Sequence, residues 1–401
     1  MQLRYCDGEF LDPVLIMNNL FEPRGMNKPR RPDQKSGAQL RTDGWVGGRA
    51  DTWHGHPHES PASRAGADAR RMSVDKDYAA EVAVTLRASD EACSRSDESL
   101  VAAGLQIEPV SPGIGVVVRG IDMAKPTGAQ VEQVRRLFLA RKVVFFHDQG
   151  HISREEHMAF ARCFADIGLA FGRQQALSVG NTSDDYPEIL RLHADEAHPF
   201  AASNWHSDVT WSTRPPLGSI LLSRKSPPVG GDTMFVDAFA LWDNLSPVLK
   251  EFLEGRNAIH GRAGRAEAEH PICRTHPETG RKALYINPTF TNSICGLEPA
   301  ESSRLLAQLY AKMYSTPEVA CRFQWRDGSV AMWDNRSCQH YAVADFWPHE
   351  RLMERVTLLD KCENNEIPFW TDASGERHHG VALVTEAELA TPIGGAAPTM
   401  D

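Results

Sequence analysis

Between residues 219 and 359 the chain carries six short runs rich in β-branched and aromatic residues: SILLS, DTMFV, ALYIN, CRFQW, SVAMWD and RVTLL. Each run is broken off by Gly, Pro or polar residues, and one helical pattern, about 300–314, interrupts them. A doubly wound sheet needs regular alternation of strand and helix, and none is present. The order therefore favours a mainly β fold with flanking helices, a sandwich or jelly roll.

Upstream, LQIEPVSPGIGVVVRGID reads as two short strands around a Pro-Gly turn. Gly113 and Gly115 precede a β-branched strand rather than a helix, so their GxG is not a dinucleotide fingerprint. Val131, Val134 and Phe138 share one helical face, ahead of the strand KVVFF. Ser153 and Glu156 form a capping box, predicting a helix that buries Phe160, Phe164 and Ile167. Residues 1–103 differ: Arg, Asp, Gly, Ser and Pro dominate, with too little apolar surface to offset the entropy of ordering. They are expected to be disordered, or to lie upstream of a later start such as Met72. Their histidines, His54, His56 and His58, are expected to be solvated. Residues 104–365 form the expected globular domain, and 366–401 a poorly ordered tail.

A formal charge of −10 argues against a nucleic-acid partner, which needs a basic face. A locally positive pocket for a small anion remains compatible with it. The eight cysteines are scattered without a CxxC pair, which disfavours a disulfide framework or structural zinc and suits the cytoplasm. No apolar run reaches bilayer-spanning length and no secretory signal is visible, so no membrane partner is expected.

The chemistry concentrates at four positions. His206 and Asp208 form an HxD pair, His340 follows far downstream, and Arg351 lies eleven residues later. Two imidazoles and one carboxylate are the ligand set of a non-haem Fe(II) centre with one face open to oxygen and an oxidisable co-substrate. On a strand, His206 and Asp208 would point to one face, and Arg351 and Arg355 likewise. Taken alone, an HxD pair is usually a chance pair in a surface loop. A metal-dependent hydrolase on zinc, or a non-catalytic metal or ligand sensor on a jelly-roll scaffold, would also accommodate the three ligands.

The surrounding motifs narrow this. IGVVVRGID, KVVFFHDQ, NWHSDVTW, GGDTMF, HPETGRKALYIN and WDNRSCQHYAVAD followed by RLMERVTL occur in order. From about residue 105 to about 362 the sequence resembles the TauD/TfdA family of Fe(II)- and 2-oxoglutarate-dependent dioxygenases. The resemblance implies a double-stranded β-helix with iron on His206, Asp208 and His340. It places the far carboxylate of 2-oxoglutarate on Thr233 and Arg351. Arg355, the backbone N–H of Val209 and Asn204 fall where substrate is held. It implies conversion of 2-oxoglutarate and O2 to succinate and carbon dioxide, coupled to hydroxylation of a substrate carbon. Where that carbon bears a sulfonate, sulfate ester or ether oxygen, the product collapses to release sulfite, sulfate or an alcohol, a chemistry of sulfur metabolism.

The expected substrate is a small organic anion other than taurine. Ala201 and Ala202 stand where the taurine enzyme has polar side chains, and GLAFGRQQ lacks a histidine, leaving Arg173 or Gln174 to stand in. Trp205, Trp211, Phe235 and Trp333 are expected to be packing residues first. The segment between Thr233 and His340 is shorter than in the taurine enzyme, around GRAGRAEAEHPICRTHP. A homo-oligomer is expected.

Overall fold

A computed structural model of the chain describes residues 98–168, 185–196, 204–261 and 267–359, with the backbone of 369–371, 377–379 and 381–384. All belong to the unit Asp75–Asp401. The expectations for 1–97, for Ala201, Ala202, Arg173 and Gln174, and for most of 366–401 lie outside these residues.

α1 (Glu98–Ala102) leads into an antiparallel hairpin of β1 (Gln106–Pro109) and β2 (Val116–Arg119). Leu100 of α1 is already buried in the core beside Leu105, ahead of the boundary expected at 104. β2 runs parallel to β3 (Val143–Phe146), a pairing that needs a crossover, and α2 (Gly128–Arg141) supplies it. α2 opens on a capping box: the Thr127 hydroxyl accepts from the Gln130 N–H, and the Gln130 side chain accepts from the Thr127 N–H.

α3 (Arg154–Arg162) opens on the Ser153/Glu156 box but ends sooner than its apolar spacing suggests. The N–H groups of Cys163 and Phe164 fall back onto acceptors three residues earlier, tightening and closing the helix. Phe160 and Phe164 are buried, while Ile167 lies in β4 (Asp166–Ile167) instead of on the helix.

β5 (Ile189–Ala194), β6 (Gly218–Lys225) and β7 (Thr233–Asp237) follow, then α4 (Ala238–Asp243) and α5 (Pro247–Leu253). Next come β8 (Asn257–Gly261), β9 (Glu267–Pro271), β10 (Cys273–Thr275), β11 (Lys282–Leu284), β12 (Thr291–Ile294) and α6 (Pro299–Ser315). β13 (Ala320–Phe323), β14 (Val330–Asp334), β15 (Cys338–Ala342) and β16 (Arg351–Leu359) complete the body. The run ALYIN is a strand only as far as Leu284. Asn287 then accepts from the Phe290 N–H, three residues on, through its side chain, capping a turn that bends the chain away. Phe369–Thr371 pairs with Arg377–His379, and Val381–Val384 pairs with β9.

The main sheet runs β1-β2-β3-β14-β6-β16-β4, with β5 also on β16. A three-stranded sheet, β13-β7-β15, faces it. Period-two alternation builds two cores from the same strands. Val143 and Phe145 of β3, with Ala331 and Trp333 of β14, point to the inter-sheet core and meet Phe235, Cys321 and Phe323. Their neighbours Val144, Phe146, Val330 and Met332 point the other way, onto Leu137 and Phe138 of α2 and Phe160 of α3. Every residue of β3 is therefore buried, which explains its unbroken apolar run. The fold is a jelly roll with helices on its outer face. Among the described residues no helix is long and apolar enough to cross a membrane.

Candidate metal centre

β15 lies antiparallel to β7 and carries His340 opposite Phe235. His206 pairs with it by a single bridge: the His206 N–H donates to the His340 carbonyl at 3.0 Å, and the His340 N–H returns to His206 at 2.8 Å. The strand expected to carry both His206 and Asp208 does not form. The chain turns at Asp208, and Val209 sits at φ 57°, a left-handed conformation that no strand continues through. The turn still delivers the carboxylate. One ligand atom each from His206, Asp208 and His340 lie within 4.8 Å of one another. Asp208 Oδ1 is 3.8 Å from His206 Nε2 and 4.0 Å from His340 Nε2.

The donor set fits a divalent metal in protonation as well as in position. His206 Nδ1 donates to the Asn204 carbonyl at 2.8 Å, which puts the ring lone pair on Nε2, the nitrogen that faces Asp208. Burial holds the His340 imidazole well below its ordinary value, with His206 and Arg355 adding to the effect, so the ring stays neutral. Burial alone would raise the Asp208 carboxyl. Arg355, His340 and His206 together outweigh it and hold the group down to about 2, so it is ionised. Neutral imidazoles and a carboxylate are the forms that ligate.

Several groups orient Asp208. The Arg355 guanidinium reaches both carboxylate oxygens from one nitrogen, at 2.9 and 3.0 Å. The Ser219 hydroxyl donates to Oδ2 at 3.3 Å. The Asn335 side chain accepts from the Asp208 N–H at 2.6 Å and donates to the Asp208 carbonyl at 3.0 Å. Phe235 and Trp333 pack on the His340 ring at 6.2 and 4.8 Å between centroids. Both are packing residues, as is Trp205 in the helical core.

Thr233 opens β7 and Arg351 opens β16. The Trp325 indole joins them: its N–H donates to the Thr233 hydroxyl at 2.9 Å, and the Arg351 guanidinium lies 6.0 Å from its ring. Thr233 thus keeps its own O–H proton to give to an anion. Arg351 is only 3% exposed, and no carboxylate pairs with it among the described residues. Burial pulls it down to about 10, against the pull of Asp232. Gly231, at φ 71°, makes room here: a Cβ would lie 3.4 Å from the Arg351 chain and 3.3 Å from the Phe346 ring.

Of the residues expected to hold substrate, Val209 presents a main-chain N–H with no hydrogen bond among the described residues. Arg355 reaches the centre but is engaged by Asp208. Asn204 turns its side chain to the Trp205 N–H and the Tyr314 hydroxyl, and offers its carbonyl to His206. Beside His206, Leu190, Val209, Trp211 and Phe290 form an apolar cluster. The Phe290 ring lies 5.9 Å edge-on from His206 and 4.7 Å from Trp211. Sequence reasoning missed Ser219, Phe290, Trp325 and Asn335. Ser219 and Trp325 sit inside quoted strand runs and Asn335 inside a quoted motif, but their residue types did not point to ligand chemistry.

Residues 106–357 match the family model described as "Taurine catabolism dioxygenase TauD, TfdA family", well over half of the chain. The chain belongs to the TauD/TfdA family. As such it is a dioxygenase dependent on alpha-ketoglutarate, that is, 2-oxoglutarate. It is 30% identical over 298 residues to the alpha-ketoglutarate-dependent sulfate ester dioxygenase of Pseudomonas putida, covering 68% of this chain and 94% of that one. It is also 30% identical to (S)-phenoxypropionate/alpha-ketoglutarate-dioxygenase of Sphingobium herbicidovorans, over 62% of this chain and 92% of that one. Among solved structures, a taurine dioxygenase from Burkholderia xenovorans superposes with a TM-score of 0.61 at 33% identity, over 72% of this chain and 99% of that one.

Proposed function

We propose that this TauD/TfdA dioxygenase holds Fe(II) on His206, Asp208 and His340 and 2-oxoglutarate on Thr233 and Arg351. Its primary substrate is a small organic anion with an apolar body: a sulfate ester, a sulfonate, or an aryloxy or alkyl carboxylate. The observation that carries this is the combination of the three-ligand set with Arg351, a buried guanidinium that lacks a carboxylate partner among the described residues. A hydrolytic metal site would have no need of it. A buried charge left unpaired is costly, and the far carboxylate of 2-oxoglutarate answers it with a charge-assisted bond.

Iron with bound 2-oxoglutarate supplies the activation of oxygen, with succinate and carbon dioxide as co-products. The protein's own residues bind and orient. Arg351 and the Thr233 hydroxyl fix the far end of the co-substrate. Arg355 keeps Asp208 ionised and, with the main-chain N–H of Val209, presents positive potential to a substrate anion. Leu190, Trp211 and Phe290 exclude water beside His206 and receive the apolar body. An ammonium placed against that wall would be desolvated without a partner, which disfavours taurine. A hydroxyl placed on the carbon of an R–CH2–O–SO3− ester gives R–CH(OH)–O–SO3−, which collapses to the aldehyde and hydrogen sulfate.

A panel of taurine, hexanesulfonate, hexyl sulfate and aryloxy acids, scored by succinate coupled to product, tests the reading. Turnover of hexyl sulfate, hexanesulfonate or an aryloxy acid above taurine is expected. Clear preference for taurine would contradict the assignment of the pocket.

A further inference from the structure

We infer that Asn335 is a positioning residue for the metal centre: its carboxamide docks the Asp208 turn onto the end of β14 and so sets where the carboxylate points. The inference rests on the ligand assignment above. Asp208 lies outside any strand, one residue before a left-handed valine, so no sheet ladder fixes its main chain. A single side chain does so instead. Asn335 accepts from the Asp208 N–H at 2.6 Å, donates to the Asp208 carbonyl at 3.0 Å, and donates to the Pro216 carbonyl at 3.2 Å. It thereby pairs with Asp208 as a neighbouring strand would, and closes the turn by holding both of its ends. Both residues are buried.

Only a carboxamide can accept from one main-chain N–H and donate to two carbonyls at once. An aliphatic side chain of the same size would fill the space but leave the buried N–H and two carbonyls without these bonds. The platform beneath Asn335 is rigid. Its own N–H donates to the Leu217 carbonyl at 2.9 Å. The preceding Asp334 is buried and held by Arg336 at 2.8 and 2.9 Å and by His276 Nε2 at 3.0 Å. The His276 ring is fixed in turn, because Nδ1 accepts from the N–H groups of Glu278 and Thr279. The HPETG and WDNR stretches therefore converge on one task, holding the surface against which the ligand turn is set.

The test compares Mn(II) affinity, measured by the loss of the free Mn(II) paramagnetic signal, in the full-length chain and in Asn335→Leu and Asn335→Ala. Melting temperature without metal is recorded for each. Removing a partner that orients a ligand lowers metal affinity by about tenfold to a hundredfold. That loss is expected in both variants while the metal-free proteins stay folded. The Fe(II)/2-oxoglutarate absorption band, where it forms, should also shift in position. Leucine keeps the branched heavy-atom outline of asparagine without its hydrogen bonds, so affinity within twofold of the parent in Asn335→Leu would assign Asn335 to packing and overturn the inference. Failure of both variants to fold would overturn it equally. A parent chain that binds no Mn(II) would instead fault the ligand set, and this inference with it.

Discussion

At the residue scale, the proposed metal ligands and the proposed 2-oxoglutarate anchors should separate by what their loss removes. His206→Ala, Asp208→Ala and His340→Ala each break a three-ligand set and are expected to abolish Fe(II) binding. Arg351→Ala leaves those ligands untouched. It should keep iron bound while raising the 2-oxoglutarate requirement about tenfold to a hundredfold, the weight of a hydrogen bond to a charged group. Equilibrium dialysis for iron alongside 2-oxoglutarate saturation kinetics checks the division. Equal loss of metal from the Arg351 variant would refute it. These residues were legible because ligand chemistry restricts residue type, and because Arg351 and Arg355 do share a strand. The path of the chain between His206 and Asp208 was not legible. Valine at φ 57° goes against the local preference of a β-branched residue, so no sequence pattern announces it. Asn335, Ser219 and Trp325 act through hydrogen bonds to partners far away in sequence, a signal that no local pattern carries.

At the element scale, one buried carboxylate ties the outer helix to the strand that bears both arginines. Glu354 lies between Met353 and Arg355 on β16 and points to the opposite face from Arg355. It accepts from Arg154 at the start of α3, at 2.8 and 2.6 Å, and from Arg224 of β6 at 2.8 Å. Burial pushes its carboxyl up, but the hydrogen bonds from Arg154 and Arg224 outweigh this and leave it below the ordinary glutamate value. A depressed carboxylate contributes stability that is full above its unfolded value of about 4.3 and fades as pH falls through its folded value. Glu354→Gln is therefore expected to unfold more easily at pH 7, by about 3 kcal/mol, the lower end for breaking a buried pair because both arginines reach solvent. The gap from the parent should narrow as pH drops below about 4. Urea denaturation across that range measures it, and a gap independent of pH would exclude the ion pairs as its source. The start of α3 was readable because Ser153 and Glu156 act over three residues. The end of α3 was not, because Phe164 and Ile167 face the same core from a turn and a strand and so prolong the helical spacing.

At the scale of the whole molecule, the class of fold was readable from short β-rich runs without helical alternation, since alternation and turn residues act locally. The pairing order was not. β14 lies between β3 and β6, and β7 between β13 and β15, through contacts across more than eighty residues that no local run encodes. Yet those pairings assemble the centre. β15 carries His340 to the bridge with His206, and β6 aligns β16 so that Arg355 meets Asp208. As proposed, this assembly binds Fe(II) and 2-oxoglutarate together and consumes the 2-oxoglutarate with oxygen while the iron is retained. The most direct measurement is anaerobic addition of Fe(II) and 2-oxoglutarate to the full-length chain, followed by visible spectroscopy and then by air. A weak charge-transfer band that needs both additions and is missing in His340→Ala is expected, with succinate forming once air is admitted. A parent chain that binds iron but gives neither the band nor succinate would contradict the proposal.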